Sequence, residues 1–322
     1  MTAFLSEKVS EPQKPPWIRV RVPRGGSCKF LRDLKSAAGL NTVCESALCP
    51  NIGECWRAGH ATFMIMGNGC TRNCAFCGVG NEPEPVCKDE PRRVAEAVRS
   101  MNLRHAVVTS VTRDDLADGG AGYFAATIRE LRKICPDTSI EVLIPDFGGS
   151  RAALETVLAA GPDIMGHNME TVCRLYSTVR PGADYRRSLA LLARAGRQKP
   201  SCITKSGLML GLGETRDEIE EIIRDIRGAG VQVLTIGQYL RPGRANIAVA
   251  EYVHPETFAR IQSFAKQQGF SWVAAGPLVR SSYQAASQAR ALGIAYGCKN
   301  GSSSGVQQTV SGSAGISEQE MK

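Results

Sequence analysis

Three cysteines, Cys70, Cys74 and Cys77, form a C-x3-C-x2-C group on one short stretch of the chain. Three thiolates on one loop can bind three irons of a cubane cluster, and the missing fourth ligand leaves one iron open to a small molecule. A closed structural zinc site needs four ligands, and no suitably spaced fourth Cys or His accompanies this loop. The spacing therefore favours an iron–sulfur cluster, with zinc or three unpaired structural cysteines as alternatives.

A second group of three cysteines precedes the first. Cys44, Cys49 and Cys55 follow the pattern C-x4-C-x5-C, again without a fourth neighbour. The two groups hold half of the twelve cysteines in about a tenth of the 322 residues. A small secreted protein would use such cysteines for disulfides, whereas a chain of this length without an export signal can build a core without them. Metal or cluster binding explains the density better, and a second cluster would borrow a ligand from elsewhere or keep an open iron.

The elements that must position these cysteines alternate along the chain. Short β-rich runs are separated by helical segments, most clearly at 215–228, where four isoleucines recur at i, i+3, i+4 and i+7. This alternation, repeated about six times, is typical of parallel βαβ units in a full or partial barrel or in a doubly wound sheet. The predicted strands are 62–66, 105–110, 140–144, 163–166, 203–210 and 231–236.

Both architectures place the active site beyond the C-terminal ends of the strands. The junctions that follow the predicted strands are polar or rich in glycine, and the first of them contains Cys70, Cys74 and Cys77. We therefore expect the site to be built from the junctions 69–78, 109–120, 167–170, 211–214 and 238–243.

Composition narrows the class of protein. The net charge of +8 favours acidic partners, but the basic residues are spread along the chain, which disfavours nucleic acid. No apolar run has the roughly 18 residues that a membrane span needs. The first 25 residues lack the pattern of a secretory signal or a transit peptide, so we expect a cytoplasmic protein.

The C-x3-C-x2-C loop, with Phe76 before its last cysteine, resembles the radical S-adenosylmethionine (SAM) superfamily. The second triad and the run Arg280-Ser281-Ser282-Tyr283 narrow the resemblance to the lipoyl synthase family. The resemblance covers about residues 15–292, and further matching segments are 15–17, 62–65, 71–73, 113–120, 167–170, 179–185, 205–215 and 276–279.

The resemblance implies a fold and a reaction. The fold is α/β, a partial (β/α)6 TIM-like barrel with an N-terminal cluster-binding extension and a C-terminal closing segment. The reaction is radical insertion of two sulfur atoms at C6 and C8 of a protein-bound octanoyl-lysine chain. Two 4Fe-4S clusters are implied: one cleaves SAM, and an auxiliary one gives up its sulfur.

The resemblance also assigns residues. Cys70, Cys74 and Cys77 would bind the cluster that cleaves SAM, while Ser282 would complete the auxiliary set of Cys44, Cys49 and Cys55. Contacts to SAM are assigned to Asn168, Glu170, Arg180, Lys205 and Ser206, with a barrel-interior ion pair as the alternative for Glu170 and Lys205. The histidines at 60, 105 and 254 are interpreted as surface or core residues, and His167 is only slightly more interesting.

Partners follow from the same resemblance. They are octanoylated lipoyl carrier domains, namely the E2 subunits of oxoacid dehydrogenases and the glycine-cleavage H protein, an electron donor such as ferredoxin or flavodoxin, and an iron–sulfur assembly or carrier protein. Such carriers are typically acidic, so a positive rim would steer them. The alternatives are another radical SAM sulfur-insertion enzyme, of the biotin synthase or methylthiotransferase type, and a non-catalytic zinc or iron–sulfur binding module.

The expected organisation is an extension at 1–60, a barrel at 61–280, a C-terminal segment at 281–298 and a disordered tail at 299–322. Three places depart from the family's pattern: Met169, the stretch 245–248 and Gly69. The first two concern packing on the substrate side. The glycine is expected to loosen the cysteine loop slightly.

Overall fold

The computed structural model describes residues 12–18, 36, 38–46, 49–57 and 61–294. Most of the predicted extension, Cys28, His60, Cys298 and the predicted disordered tail lie outside the described residues.

One curved sheet of eight strands organises the described chain, in the order β1 to β8. The first pair is antiparallel, and every later neighbour is parallel. The sheet runs from β1 at one edge to β8 at the other and is not closed. The strands are β1 Asn41–Thr42, β2 Thr62–Ile65, β3 His105–Ser110, β4 Ser139–Leu143, β5 Ile164–Gly166, β6 Ile203–Leu210, β7 Val233–Gln238 and β8 Trp272–Gly276.

Helices connect the parallel strands in six successive βα units, from β2 to β7. Helices that are neighbours in this series pack on one another around the sheet. The helices are α1 Val43–Ser46, α2 Ile52–Arg57, α3 Glu90–Ser100, α4 Ala121–Ile134, α5 Arg151–Ala159, α6 Tyr176–Val179, α7 Tyr185–Gln198, α8 Arg216–Gly228, α9 Pro255–Gln267 and α10 Ala285–Ala291. The predicted α/β partial (β/α)6 barrel is confirmed.

Helix α8 shows why the local sequence folds as it does. Thr215 accepts a hydrogen bond from the Glu218 backbone, and the Glu218 side chain accepts one from the Thr215 backbone, which forms a capping box. The predicted isoleucine stripe is buried, at 0–7% exposure for Ile219, Ile222, Ile223 and Ile226. This face anchors the half of the barrel formed by β6, β7 and β8.

The predicted strands agree with the observed ones within two residues, and β1 and β8 were missed. Strand β1 has only two residues, too few for a visible alternation of apolar and polar positions. Strand β8 carries small residues and leads directly into the run 280–283. Helix α10 follows β8 along the chain but packs against β3, which lies near the other edge of the sheet.

Candidate active site

The first cysteine loop leaves β2 and is fastened to the neighbouring β3 junction. The Cys70 N–H donates to the Gly80 carbonyl at 2.8 Å, and the Thr71 N–H donates to the Thr112 carbonyl at 3.0 Å. The Cys70 sulfur accepts from the N–H groups of Thr112 at 3.3 Å and Arg72 at 3.4 Å. These two contacts fix the position of the Cys70 sulfur on the loop.

The far side of the same loop is held by two other junctions. The Ala75 N–H donates to the Val179 carbonyl, and the Ile247 N–H donates to the Ala75 carbonyl, both at 2.9 Å. The Asn246 side chain donates to the Cys77 carbonyl at 2.7 Å. The loop is therefore tied to three places on the barrel rim. Asn246 lies in the stretch 245–248, which was expected from the sequence to affect packing on the substrate side, and it contacts the cysteine loop itself.

Gly69 has a different role from the one expected. A Cβ atom at this position would overlap the backbone of Glu82 and Pro83. Gly69 also pairs with Gly80 in an isolated parallel bridge. The expectation that this glycine loosens the loop is wrong, because its missing side chain lets two backbone segments meet and close the loop.

Burial raises the pKa of two thiols of this loop, those of Cys74 and Cys77. It raises the pKa of Cys74 above its usual range, although the nearby Arg180 opposes the effect. It raises the pKa of Cys77 to about 11, with Cys74 and Cys70 as neighbouring thiols. Metal binding would therefore displace protons from these groups.

The three cysteines face a cavity of about 560 Å³ at the C-terminal ends of the strands. All the predicted junctions except 211–214 contribute to its lining. One part is polar, and another is apolar, with Met64, Val111, Leu143, Ile144 and Met209. A cavity with both kinds of surface can bind a polar cofactor beside an apolar chain.

Asn168 and Glu170 line this cavity, as expected from their position after β5. Glu170 has a φ of 66° and bridges to β6, where its N–H donates to the Gly207 carbonyl at 2.9 Å. The Asn168 amide donates to the Glu170 carboxylate at 3.0 Å. A Cβ on Gly207 would lie 2.8 Å from the Asn168 side-chain oxygen, so the glycine makes room for this amide. Burial raises the pKa of Glu170 against the effects of Arg180 and Asn168.

Arg180 also lines the cavity and orients the same segment. Its Nη1 donates to the carbonyls of Asn168 at 2.9 Å and Met169 at 3.1 Å, and to the Tyr176 hydroxyl at 2.9 Å. The guanidinium carbon lies 5.2 Å from the centre of the Tyr176 ring. These contacts fix the polar wall of the cavity.

Lys205 and Ser206 lie behind this wall rather than on the cavity lining. The Lys205 Nζ is 2.7 Å from a carboxylate oxygen of Glu141, and both side chains are at most 2% exposed. Burial alone would raise the pKa of Glu141, but Lys205 and His105 lower it to about 2. Lys205 thus forms the barrel-interior ion pair that was the alternative to a SAM contact. Ser206 accepts a hydrogen bond from the Met169 N–H at 3.3 Å and so supports the segment from behind.

The second cysteine group forms a separate pocket. Cys44, Cys49 and Cys55 line it together with Arg280 and Ser282. Burial and the neighbouring thiols of Cys49 and Cys44 raise the pKa of Cys55 to about 12. Burial also raises the pKa of Cys49, against an opposing effect of Arg280.

Two long-range contacts hold the run 280–283 against the second cysteine group. The Asn51 amide donates to the Leu278 carbonyl at 2.6 Å, and the Tyr283 hydroxyl donates to the Glu54 carboxylate at 3.0 Å. A soft three-thiol set with one adjacent hydroxyl fits an iron–sulfur cluster. Within the described part of the chain, no three Cys, His, Asp or Glu side chains lie close enough together to hold one metal ion. The fit to iron–sulfur clusters therefore rests on two observations. The donors are thiols, and the three cysteines of each group line the same pocket.

The two cysteine groups are physically linked. The Ser281 hydroxyl donates to the Asn168 side-chain oxygen at 3.3 Å, and Arg280 lines both pockets. Behind Cys77, a Cβ on Gly78 would lie 3.1 Å from the Ser46 carbonyl, so the first loop and the second cysteine segment pack closely. A substrate in the main cavity would thus lie beside both groups.

Sequence reasoning missed two contributors to this site. Arg72 forms a bidentate pair with Asp114 at 2.7 and 2.9 Å and reaches Asp146 at 2.7 Å, which ties the cysteine loop to β3 and β4. His167 lines the cavity, and its Nε2 has no hydrogen-bond partner in the part of the chain that the structure describes. Arg72 lies inside the cysteine motif and His167 begins the predicted junction 167–170, so both positions had a signal in the sequence, but neither was given a role there.

Three buried polar atoms on the cavity wall lack a hydrogen-bond partner among the described residues. They are Ser110 Oγ, His167 Nε2 and Arg180 Nε. Buried polar groups are nearly always paired, so these atoms point to a polar ligand. Their position beside the cysteine loop fits SAM, which carries donors and acceptors on its ribose, adenine and amino-acid parts.

The chain matches the family described as the Radical SAM superfamily over residues 64–226. It is 56% identical over 274 residues to the lipoyl synthase of Caldanaerobacter subterraneus, which covers 85% of this chain and 96% of that relative. It is 52% identical over 279 residues to the lipoyl synthase of Trichlorobacter lovleyi, which covers 86% and 99%.

Solved structures share the fold. The structure of SuiB from Streptococcus suis bound to precursor peptide SuiA superimposes with a TM-score of 0.54 at 8% identity. The match covers 66% of this chain and 48% of SuiB, so it spans about half of that protein. SuiB bound to S-adenosylmethionine gives a TM-score of 0.52 at 9% identity, covering 66% and 49%. Among the described residues of this chain, no helix is long and apolar enough to cross a membrane.

Proposed function

This chain belongs to the lipoyl synthase family of radical SAM enzymes, and from that premise we propose how its residues divide the reaction between two clusters. It inserts sulfur into the octanoyl chains of lipoyl carrier proteins, with SAM and iron–sulfur chemistry. We propose a first cluster at Cys70, Cys74 and Cys77, and a second at Cys44, Cys49, Cys55 and Ser282.

The first site would generate the radical. A cluster bound there would supply the one electron that cleaves the SAM sulfonium to methionine and a 5′-deoxyadenosyl radical. The residues around it bind and orient SAM: Asn168 and Glu170 offer polar atoms on one wall, and Arg180 holds that wall in place. Such a radical is needed because the octanoyl C–H bonds have no acidic proton for a general base to remove.

The second site would donate the sulfur. A cluster bound there would supply the two sulfur atoms that enter C6 and C8. Ser282 would be the fourth ligand of such a cluster, a hard hydroxyl beside three soft thiolates, and would bind its iron more weakly than they do. The contact from Asn51 to Leu278 holds the serine segment at this pocket.

The observation that carries this proposal is that one three-thiol group lines the cavity with the apolar wall, while the other lines a neighbouring pocket that shares Arg280 with it. The apolar lining suits an eight-carbon chain, and Arg280 stands where the two pockets adjoin. Lys205, proposed from the sequence as a SAM contact, is better assigned to the ion pair with Glu141, and Ser206 to support of Met169.

Iron and sulfide analysis tests the two-cluster assignment. Fully reconstituted protein should hold about eight irons per chain, in two four-iron clusters. Replacing the three cysteines of either group by alanine should leave about four, with the iron–sulfur absorption halved. Eight irons in either triple variant, or four in the unaltered protein, would contradict the assignment.

The remaining parts of the proposal concern partners and organisation. The carriers are the E2 subunits of oxoacid dehydrogenases and the glycine-cleavage H protein. The electron donor is a ferredoxin or flavodoxin, and an iron–sulfur assembly or carrier protein rebuilds the second cluster. The division into an extension at 1–60, a barrel at 61–280, a C-terminal segment at 281–298 and a tail at 299–322 belongs to the same proposal. The cytoplasmic location stays a prediction.

A further inference from the structure

Arg280 places a positive charge where the two pockets adjoin. Its side chain is half-buried and lines both the main cavity and the pocket of the second cysteine group. Its Nη1 donates to the Val279 carbonyl at 2.6 Å and to the Pro277 carbonyl at 3.4 Å. A Cβ on Gly237 would lie 3.1 Å from the same nitrogen, so a glycine on β7 leaves room for the guanidinium. Backbone contacts therefore hold this charge at the second cysteine group.

Within the described part of the chain, Arg280 lacks the carboxylate partners that Arg72 has. Arg72 pairs with Asp114 and Asp146, both at 2.7 Å. For Arg280, Cys49 is the one group among the described residues whose charge acts on it, and burial lowers the pKa of the guanidinium. A guanidinium keeps its proton in proteins, and a buried charge is costly unless an opposite charge balances it. The second cysteine group is therefore the place where Arg280 needs a counter-charge.

Iron binding would bring that counter-charge. Cysteine binds metal as the thiolate, so the second cysteine group would carry negative charge when it holds a cluster. Nearby charge affects the reduction potential of an iron–sulfur site, because a positive neighbour stabilises an added electron. Arg180 opposes the raised pKa of Cys74 in the first group, and Arg280 opposes that of Cys49 in the second. Each cysteine group therefore has an arginine beside it.

We propose that Arg280 raises the reduction potential of a cluster at the second cysteine group, and thereby makes this site a better electron acceptor during sulfur transfer. A carbon radical that bonds to a sulfide ion uses one electron of a sulfide lone pair. The other electron of that pair passes to ferric iron at the same site, which becomes ferrous. The fixed charge of Arg280 favours this electron. The inference rests on the proposed second cluster and adds the residue that tunes its potential.

Substitutions at Arg280 separate its charge from its packing. Arg280→Gln removes the charge but keeps an amide that can donate to a carbonyl, Arg280→Met is a second neutral variant, and Arg280→Lys keeps the charge. Arg260→Gln is the control, because Arg260 is exposed on α9 and lines neither of the two pockets. Each substitution is made in the full chain with Cys70, Cys74 and Cys77 replaced by alanine, so that the second cluster is observed alone.

The measurement is the midpoint potential, from anaerobic redox titration followed by electron paramagnetic resonance. Iron content and thermal unfolding first show that each variant is loaded and folded. Arg280→Gln and Arg280→Met should lower the potential by about 60 mV, which is about a tenfold shift in a one-electron equilibrium. Arg280→Lys should stay within about threefold of the parent protein, since it keeps the charge. Arg260→Gln should leave the potential unchanged.

Unchanged potentials in the loaded neutral variants would overturn the inference. An equal fall in Arg280→Lys would overturn it too, because the effect would then come from packing and not from charge. If the parent protein without the first cysteine group takes up no iron, the proposed second cluster itself fails. That result is distinct from unchanged potentials in variants that hold their iron.

Discussion

Asn246 shows how one side chain can stabilise a cluster loop from outside the cysteine motif. Its amide donates to the Cys77 carbonyl at 2.7 Å, and its own carbonyl accepts from Arg241 at 2.8 Å. The side chain therefore connects the β7 junction to the end of the cysteine loop.

Replacing Asn246 with alanine should loosen the first cluster without unfolding the protein. Loss of one partly buried hydrogen bond costs about 1 kcal/mol, which corresponds to a roughly fivefold shift in a local equilibrium. We expect reconstituted Asn246→Ala to lose iron to a chelator about fivefold faster than the unaltered protein. The control is Asn73→Ala, which removes an exposed amide from the same loop. Equal rates in all three proteins would show that the contact to Cys77 does not hold the loop.

His167 should make stability depend on pH in a particular window. Its pKa is lowered to about 4 in the folded chain, from an ordinary value of 6.5. Between these values the unfolded chain binds more protons, so the free energy of unfolding falls as pH decreases from 6.5 toward 4. Protonation of this histidine in the unfolded chain should lower the free energy of unfolding by roughly 2 kcal/mol between pH 7 and pH 5.

The measurement is chemical denaturation of the metal-free chain at pH 7 and pH 5. His167→Asn cannot titrate at this position, so it should lose about 2 kcal/mol less than the unaltered chain over this interval. An identical loss in both chains would mean that the folded ring protonates as readily as a free histidine.

For single residues, the sequence predicts which side chains could take part in the site better than it predicts which atoms they contact. The cysteine spacing is local and therefore visible in the sequence. The asparagine and glutamate after β5, assigned from the resemblance as SAM contacts, line the cavity, and that role stays a prediction. Lys205 was harder, because its partner Glu141 lies 64 residues away and only the strand register brings them together. The unpaired Nε2 of His167 has no signature in sequence, since a missing partner exists only in three dimensions.

Among the elements, the junctions after the parallel strands determine the site. The expectation that polar junctions would meet at one edge of the sheet is confirmed for the loops after β2, β3, β5 and β7. The junction 211–214 does not line the cavity. There the Glu214 carboxylate accepts from the N–H groups of Gly211 and Leu212, so the polar residue closes its own turn. Turn chemistry and ligand binding use the same residue types, which is why sequence alone did not separate them.

The first junction depends on a glycine for a steric reason. Gly69→Ala would drive a methyl group into the Glu82 backbone, so we expect the loop to open and the protein to retain about four fewer irons after reconstitution. Gly228→Ala is the matched control, because a Cβ there meets nothing within 4 Å at the end of helix α8. That variant should keep its iron and gain up to about 1 kcal/mol of stability.

The test compares iron content and thermal unfolding of the two glycine variants. Full iron in Gly69→Ala would show that the backbone can move aside, and that the close approach to Glu82 is not required for cluster binding.

Over the whole molecule, the site depends on segments that are far apart in sequence. Asn51 and Leu278 are separated by 227 positions, and Glu54 and Tyr283 by 229. Local periodicity cannot predict such contacts. The family resemblance supplied the link between the second cysteine group and Ser282, and the structure shows these residues lining one pocket.

The net charge of +8 predicts that electrostatic attraction speeds the association of the enzyme with an acidic carrier domain. Attraction between a basic enzyme and an acidic domain is screened by salt, with a Debye length of about 10 Å at 0.1 M. Raising the salt from 50 to 300 mM should weaken binding of an octanoylated carrier domain several-fold, mainly through a slower association rate. A free octanoyl-lysyl peptide without acidic residues serves as the control and should show little change. Salt-independent binding of the domain would exclude charge steering.

The central claim is that the two cysteine groups divide the reaction, one cleaving SAM and the other donating sulfur. The most direct measurement follows lipoyl product mass and 5′-deoxyadenosine together, after anaerobic reconstitution and incubation with SAM, a reductant and an octanoyl-lysyl peptide. Ser282→Ala is compared with Ser287→Ala, an exposed serine on α10. The division of labour predicts that Ser282→Ala still forms deoxyadenosine but loses lipoyl product, while Ser287→Ala keeps both. Full lipoyl product from Ser282→Ala would contradict it, as would loss of deoxyadenosine from a fully loaded first site.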